Sequence, residues 1–146
     1  MDICHGASPV GIQPMATEHQ SKVLSLLPDD CTLEDDVQRE DANFKVAIRG
    51  DTVIGCAALI GDNLIASLAV EEDSRRQGVA TKLITCIVEE HPDKPLFCDT
   101  ENPHVAGILT KLKFQQTDRH ADGAPSLWTE EDYNRPALQF FARNLP

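Results

Sequence analysis

Apolar and polar positions in this chain follow two periods, and the switches between them mark out the elements. Val10-Gly11-Ile12-Gln13-Pro14-Met15 alternates weakly, which predicts a first strand; Thr17 then reads as an N-cap for a helix from Glu18 to Leu27, stopped by Pro28. From Asp29 to Asp41 seven of thirteen residues are acidic, and Leu33 and Val37 stand four apart as the apolar contacts of a short, half-exposed second helix. Phe44-Lys45-Val46-Ala47-Ile48-Arg49 alternates again. After the turn signal Gly50-Asp51 comes the apolar run Thr52 to Ile60, and after Gly61-Asp62 the run Asn63 to Val70. Three consecutive strands in an antiparallel meander follow from this.

The period then changes. Between Arg76 and Glu90 the residues Val79, Leu83, Ile84, Ile87 and Val88 fall three and four apart, which predicts an amphipathic helix closed by Pro92 and Pro95. Leu96-Phe97-Cys98 reads as a short strand, and His104 to Lys113 as a helix packing through Val105, Ile108, Leu109 and Leu112. Phe114 to Thr117 and Ser126 to Thr129 read as a last strand pair around the loop Asp118 to Pro125, and Pro136 to Phe141 as a short closing helix. The order is β-α-α-β-β-β-α-β-α-β-β, an α/β (α+β) pattern with no repeat. Residues 1–146 are expected to form a single domain, with 1–9 a flexible lead-in and 133–146 a C-terminal extension.

At 146 residues the chain fits one domain of common size. No apolar run approaches the roughly 18 residues of a membrane span, and Met1 to Pro9 lacks the basic start and apolar middle of a signal peptide, so a cytoplasmic protein is expected. Cys4, Cys31, Cys56, Cys86 and Cys98 are odd in number, and none forms a C-x-x-C pair, which favours buried free thiols over a metal site. A net charge of −11 opposes nucleic acid and anionic membrane as partners.

The chemistry concentrates after the strand ending at Val70, where the chain reads Glu71-Glu72-Asp73-Ser74-Arg75-Arg76-Gln77-Gly78-Val79-Ala80-Thr81. A strand feeds a polar loop and then a helix whose first turn has unpartnered backbone N–H groups and the positive end of the dipole, so an anionic group is favoured there. Gly78 and Ala80 allow close approach, and Arg75 and Arg76 add donor forks suited to phosphate oxygens. On the loop alone, a solvated turn with a permissive glycine is an equal reading. Neither a P-loop nor a Gly-x-Gly-x-x-Gly fingerprint competes with it.

Arg75-x-x-Gly78-x-Ala80, opening a helix after a Leu68-x-Val70 strand end, resembles the pyrophosphate loop of the GNAT superfamily of acyl-CoA-dependent acetyltransferases, written Arg/Gln-x-x-Gly-x-Gly/Ala. The family's later pattern is Asn, then Ala three on, Tyr seven on and a Gly-Phe pair ending twelve on. Here Asn102 is followed at those offsets by Val105, Leu109 and Lys113-Phe114, so the spacing agrees and three residue types do not. The element order also resembles the family's from about Val10 to Thr129. A mixed, mostly antiparallel central sheet flanked by helices is the implied fold.

The resemblance implies an N-acetyltransferase that uses acetyl-CoA as co-substrate and an amine-bearing small molecule or peptide as acceptor, acting as a monomer or homodimer by direct transfer in a ternary complex. It implies that Leu68, Ala69 and Val70 meet the pantetheine arm, and that Arg75, Arg76, Gln77, Gly78, Val79, Ala80 and Thr81 hold the pyrophosphate. It implies further that the strands at Leu64 to Val70 and Leu96 to Asp99 splay apart for the thioester. A backbone N–H near Ala69 or Val70 then meets the carbonyl oxygen. Asn102 is the family's contact to pantetheine, although Asn-Pro equally often caps a helix.

Two family features are missing. The stretch Ala66-Ser67-Leu68-Ala69 carries no carboxylate where many members place a glutamate base, and Leu109 stands where the tyrosine acid is usual. The leaving thiol departs tolerably as a thiolate, so loss of the acid costs at most about 10²- to 10⁴-fold. Substitute candidates are Ser67, Asp99 and His120, with Glu101 and Tyr133 behind them; surface or capping roles compete for each. The acidic stretch Asp29 to Asp41 favours a cationic acceptor, against the plainer reading of a solvated acidic helix. Missing acid and base also leave open a CoA-binding module that regulates without catalysing, or an interaction domain that binds no CoA.

Overall fold

The structure is a computed structural model and describes residues 10–26, 41–61, 63–117, 125, 128 and 135–143. Seven strands form one sheet: β1 (Val10–Pro14), β2 (Ala42–Arg49), β3 (Thr52–Ile60), β4 (Leu64–Val70), β5 (Leu96–Thr100), β6 (Gln115–Thr117) and β7 (Gln139–Arg143). Among the described residues three α-helices accompany them: α1 (Gln20–Leu26), α2 (Val79–Glu90) and α3 (Pro103–Lys111). The spatial order is β1-β2-β3-β4-β5-β7-β6, antiparallel at every step except β4 to β5, which run parallel. This is the mixed, mostly antiparallel sheet that the family resemblance implied.

Alternation along the strands sorts side chains to two faces. On one face Ala57, Leu59, Ile65, Cys98 and Phe141 pack against Val79, Leu83, Ile84 and Ile87 of α2 and Ile108 and Leu109 of α3. On the other, Phe44, Val46, Cys56, Ala58 and Ile60 receive Val23 of α1. A third cluster gathers Leu64, Phe97, Phe140 and Ala142 around Trp128, whose ring meets Phe97 and Phe140 edge to face at 5.6 and 4.7 Å. Gly55 lets α2 sit close on the sheet: a Cβ there would stand 3.1 Å from both the Ala69 carbonyl oxygen and Val79 Cγ1.

Several expectations are corrected. The first helix is entered through a 3₁₀ turn, Thr17–His19, so Thr17 lies inside the turn; Ala16 precedes it, its N–H held by His19 Nδ1 at 2.9 Å. The helix expected from Arg76 starts at Val79, because Arg76 (φ 67°) and Gly78 (φ 79°) adopt left-handed backbone that a right-handed helix cannot contain. The closing helix expected over Pro136 to Phe141 is absent; Gln139–Arg143 form β7 between β5 and β6. Adjacent Phe140 and Phe141 are buried on opposite sides of the sheet, which a strand achieves and a helix does not. The expected acidic helix, the tip loop with His120, the strand at 126–129 (save Trp128) and Tyr133 lie outside the described residues. No helix among the described residues is long and apolar enough to cross a membrane.

Candidate functional site

The parallel pair β4 and β5 sets the site. They pair only at Leu64 with Phe97 and Ile65 with Cys98; beyond that point β4 continues to Val70 alongside β3 alone. The strands therefore part, and a cleft of about 530 Å³ opens beside the tail of β4. Leu68, Ala69 and Val70 form its strand wall, Arg75, Arg76 and Gly78 its loop, and Val79, Ala80 and Thr81 the first turn of α2. Asn102 closes it from the start of α3. Ten of the eleven residues that the sequence assigned to one cofactor surround this cleft.

The eleventh, Gln77, turns elsewhere. Its side chain accepts from Arg49 and donates to the Asp73 carbonyl at 3.3 Å, so it serves the loop and does not line the cleft. Local conformation explains the loop's shape: Arg76 and Gly78 are both left-handed, and Gly78 is the N-cap residue of α2. The first α2 bond runs from Lys82 to the Gly78 carbonyl at 3.0 Å, leaving the N–H groups of the first turn without helical acceptors. Their partial positive charge joins two full ones. Arg75 is tied by its Nε to the Val70 carbonyl at 3.0 Å, which anchors a guanidinium at the end of β4, and Arg76 is exposed.

Asn102 resolves its two candidate roles into a shared one. Its Oδ1 accepts from the His104 N–H at 2.8 Å as the N-cap of α3, while the residue also lines the cleft, so the carboxamide N–H₂ is what it can offer a ligand. Sequence reasoning missed five lining residues: Leu26, Ser74, His104, Val105 and Ile108. Val105 and Ile108 had been read as packing residues of α3 alone. His104 carried a local signal, two residues beyond Asn102 at a helix start. Leu26 carried none, since only the packing of α1 brings it there.

The catalytic candidates scatter. Ser67 sits in a β-bulge: Cys56 faces Ala69 and Ala58 faces Ala66, so two residues of β4 oppose one of β3, and Ser67 takes the left-handed conformation at φ 57°. Its hydroxyl is shut from solvent with no hydrogen-bond partner among the described residues, and its carbonyl accepts from Cys56 Sγ at 3.4 Å. Asp99 is half-buried on β5 opposite Phe140 and is not part of the cleft wall. Glu101 is ion-paired with Arg135. Leu109 is fully buried in the core, so no proton donor occupies the tyrosine's offset. Burial pushes the Cys56 thiol up to about 12, opposed by a backbone hydrogen bond at Ala69, and pushes the Cys98 thiol up as well; both stay protonated and neither supplies a thiolate nucleophile.

The family model described as Acetyltransferase (GNAT) family matches residues 13–114, and the chain belongs to that family. Solved structures agree on the fold. A GNAT-family acetyltransferase from Staphylococcus aureus Mu50 is similar over 94% of this chain and 100% of its own, with TM-score 0.71 and 15% identity. An IAA acetyltransferase from Bacillus cereus ATCC 14579 has the same coverage, with TM-score 0.68 and 21% identity. A GNAT-family acetyltransferase from Elizabethkingia anophelis, solved with acetyl-CoA bound, is similar over 93% of this chain and 98% of its own, with TM-score 0.63 and 18% identity. Comparison with curated proteins finds no match.

Proposed function

We propose that the protein is an N-acetyltransferase that moves an acetyl group from acetyl-CoA to a primary amine by direct transfer in a ternary complex. The observation that carries this reading is the gathering of Arg75, Arg76, Gly78 and the first turn of α2 around one cleft that continues along the tail of β4. The residues suit the ligand: small side chains and left-handed backbone allow close approach, and two guanidiniums with a helix N-terminus match a pyrophosphate. Acetyl-CoA supplies a thioester whose carbonyl carbon the neutral amine nitrogen attacks; the C–S bond breaks, CoA leaves as the thiolate, and the proton lost by the amine nitrogen passes to water in the open cleft.

The chain's own part is binding, orientation and proton handling. The tail of β4 lies along the pantetheine arm and directs the thioester into the gap beyond Ile65 and Cys98, where a backbone N–H near Ala69 meets the carbonyl oxygen. Asn102 donates from its carboxamide N–H₂. Ser67, on the β4 bulge next to Leu68 of the cleft wall, is the side-chain candidate we retain; its hydroxyl is buried, outside the cleft lining and without a partner among the described residues, so it would have to turn into the cleft to meet the reacting groups. With Leu109 in the core, the thiolate leaves without a tyrosine proton, at a cost within the roughly 10²- to 10⁴-fold of a positioned acid. The net charge of −11 supports a cationic acceptor.

Acetyl-CoA at about a hundred times its dissociation constant should stabilise the protein by about 2.7 kcal/mol, a melting shift of several degrees. Arg75→Ala combined with Gly78→Glu should remove that shift. An unchanged melting temperature in millimolar acetyl-CoA would sink the cofactor assignment. The buried Leu109 specifically favours a second reading, a family member that binds CoA without transferring the acetyl group. Saturable binding with no CoA release across small amines, polyamines and basic peptides would select it.

A further inference from the structure

Outside the cleft lining, a side chain from a different part of the sheet grips the loop. Arg49 is the last residue of β2. Its Nη1 donates to Ser74 Oγ at 3.4 Å and its Nη2 to Gln77 Oε1, while Gln77 Nε2 donates on to the Asp73 carbonyl at 3.3 Å. Ser74 is 4% exposed and lines the cleft; Arg49 and Gln77 do not. One guanidinium thus spans the loop from its start to the residue before the N-cap of α2.

The loop's backbone tethers show why that span matters. Glu71 N–H donates to the Ile54 carbonyl at 2.8 Å, Ser74 to Glu71 at 2.8 Å and Arg75 to Glu72 at 3.3 Å. Among the described residues, no backbone-to-backbone bond is donated by Arg76, Gln77 or Gly78. This is the stretch that contains both left-handed residues. A non-glycine residue at positive φ is strained and persists only where surrounding contacts over-determine it. Beside the Arg75 Nε bond to the Val70 carbonyl at 3.0 Å, the side-chain contacts that reach this stretch from outside the loop are those of Arg49 with Gln77 and Ser74. Arg49 Nε is itself buried with no hydrogen-bond partner among the described residues, a cost set against the two outer contacts of the fork.

We propose that Arg49 is a positioning residue for cofactor binding: acting through Ser74 and Gln77, it holds the loop 73–78 in its ligand-ready shape before the cofactor arrives. The proposal rests on the acetyl-CoA reading above. A preformed loop spares the ligand the entropic cost of ordering it, so the brace acts on affinity and leaves the chemical step alone. Arginine suits the task because its planar fork reaches two acceptors at once, which a lysine ammonium on a flexible stem does not.

The test uses Arg49→Met, Arg49→Lys and Gln77→Leu in the full chain, with acetyl-CoA as the probe. Amide hydrogen exchange at residues 74–78 of the ligand-free protein should accelerate in all three variants while α2 amides keep their protection. By calorimetry each should bind acetyl-CoA about tenfold more weakly, and Arg49→Met combined with Gln77→Leu should be little weaker than either alone, since both cut one connection. In turnover assays Arg49→Met should raise the KM for acetyl-CoA while kcat stays within about twofold. Wild-type affinity in Arg49→Lys would reduce the residue to a diffuse charge and overturn the brace. So would independent, multiplying losses in the double variant, or loop exchange that no variant alters. Failure of wild-type protein to bind acetyl-CoA is the separate result that defeats the cofactor reading, and this proposal with it.

Discussion

The backbone N–H of Phe114 reaches back to the carbonyl of Leu109 at 3.0 Å, and that of Lys113 to Thr110 at 3.2 Å. Together they close the C-terminus of α3 in the paired-bond geometry whose C′ residue is usually glycine. Leu109 and Phe114, the first and last residues of the motif, are buried in the same cluster. Leu109 thus serves as the apolar half of a helix stop, and Lys113 holds the left-handed position at φ 75° that the family pattern gives to glycine.

Lys113→Gly should therefore stabilise the fold. Relief of the left-handed penalty, about 1–2 kcal/mol, is partly offset by the freedom glycine adds to the unfolded chain, about 0.5–1 kcal/mol. A net gain of about 0.5–1 kcal/mol in urea unfolding is expected, with acetyl-CoA affinity unaltered. A loss of stability would show that the lysine makes contacts worth more than the strain.

Gly55 links core packing to the cleft. A Cβ there would meet Val79 Cγ1 at 3.1 Å and Leu83 Cδ1 at 3.3 Å, and the Ala69 carbonyl oxygen at 3.1 Å. Gly55→Ala should cost about 1–3 kcal/mol as α2 is pushed off the sheet. Because Val79 opens α2 and Ala69 lies on the cleft wall, the same variant should bind acetyl-CoA several-fold more weakly. Gly11→Ala, with nothing within 4 Å of the new Cβ, is the control and should shift stability by no more than about 0.5 kcal/mol. Equal behaviour of the two variants would refute the close-packing role.

The buried thiols predict how stability responds to alkali. Folding holds Cys56 at about 12 against an ordinary 9.0, and Cys98 is raised in the same direction; desolvation is the main cause for both. Below pH 9 both states keep these protons. Between 9 and 12 the unfolded chain loses them first and binds fewer protons, so unfolding becomes easier as pH rises, by about 1.4 kcal/mol per pH unit for each such thiol. Cys56→Ala should flatten that slope, measured by urea unfolding from pH 8 to 11. At pH 8 in native buffer, alkylation mapped by mass spectrometry should mark the half-buried Cys86 well before Cys56 or Cys98.

How far the sequence could be read depends on how local each feature is. The three meander strands were legible nearly to the residue, because alternation with Gly50 and Gly61 at the turns is a short-range signal; both glycines take positive φ there. The phosphate-favouring loop was legible as composition. Its conformation was not, since the left-handed Arg76 that delays α2 depends on contacts reaching back to Arg49, 27 positions earlier in the chain. Asn102 carried both a capping and a ligand signal, and the structure accommodates both.

By itself the sequence determined the run of elements from β2 to α3, the two amphipathic helices and the anion-favouring stretch from Arg75 to Thr81, all properties of hydrogen bonding and periodicity within a dozen residues. Tertiary structure alone decided that residues 139–143 fill the place between β5 and β6, that the parting of β4 and β5, which the resemblance implied, comes after two paired residues, and that Leu26 and His104 join the cleft. The physical reason is common to all three. A five-residue segment such as Gln139–Arg143, with three apolar residues at its centre, serves equally well as strand or helix until a neighbour partners its backbone groups, and that neighbour, Leu96–Thr100, lies some forty residues away in the chain.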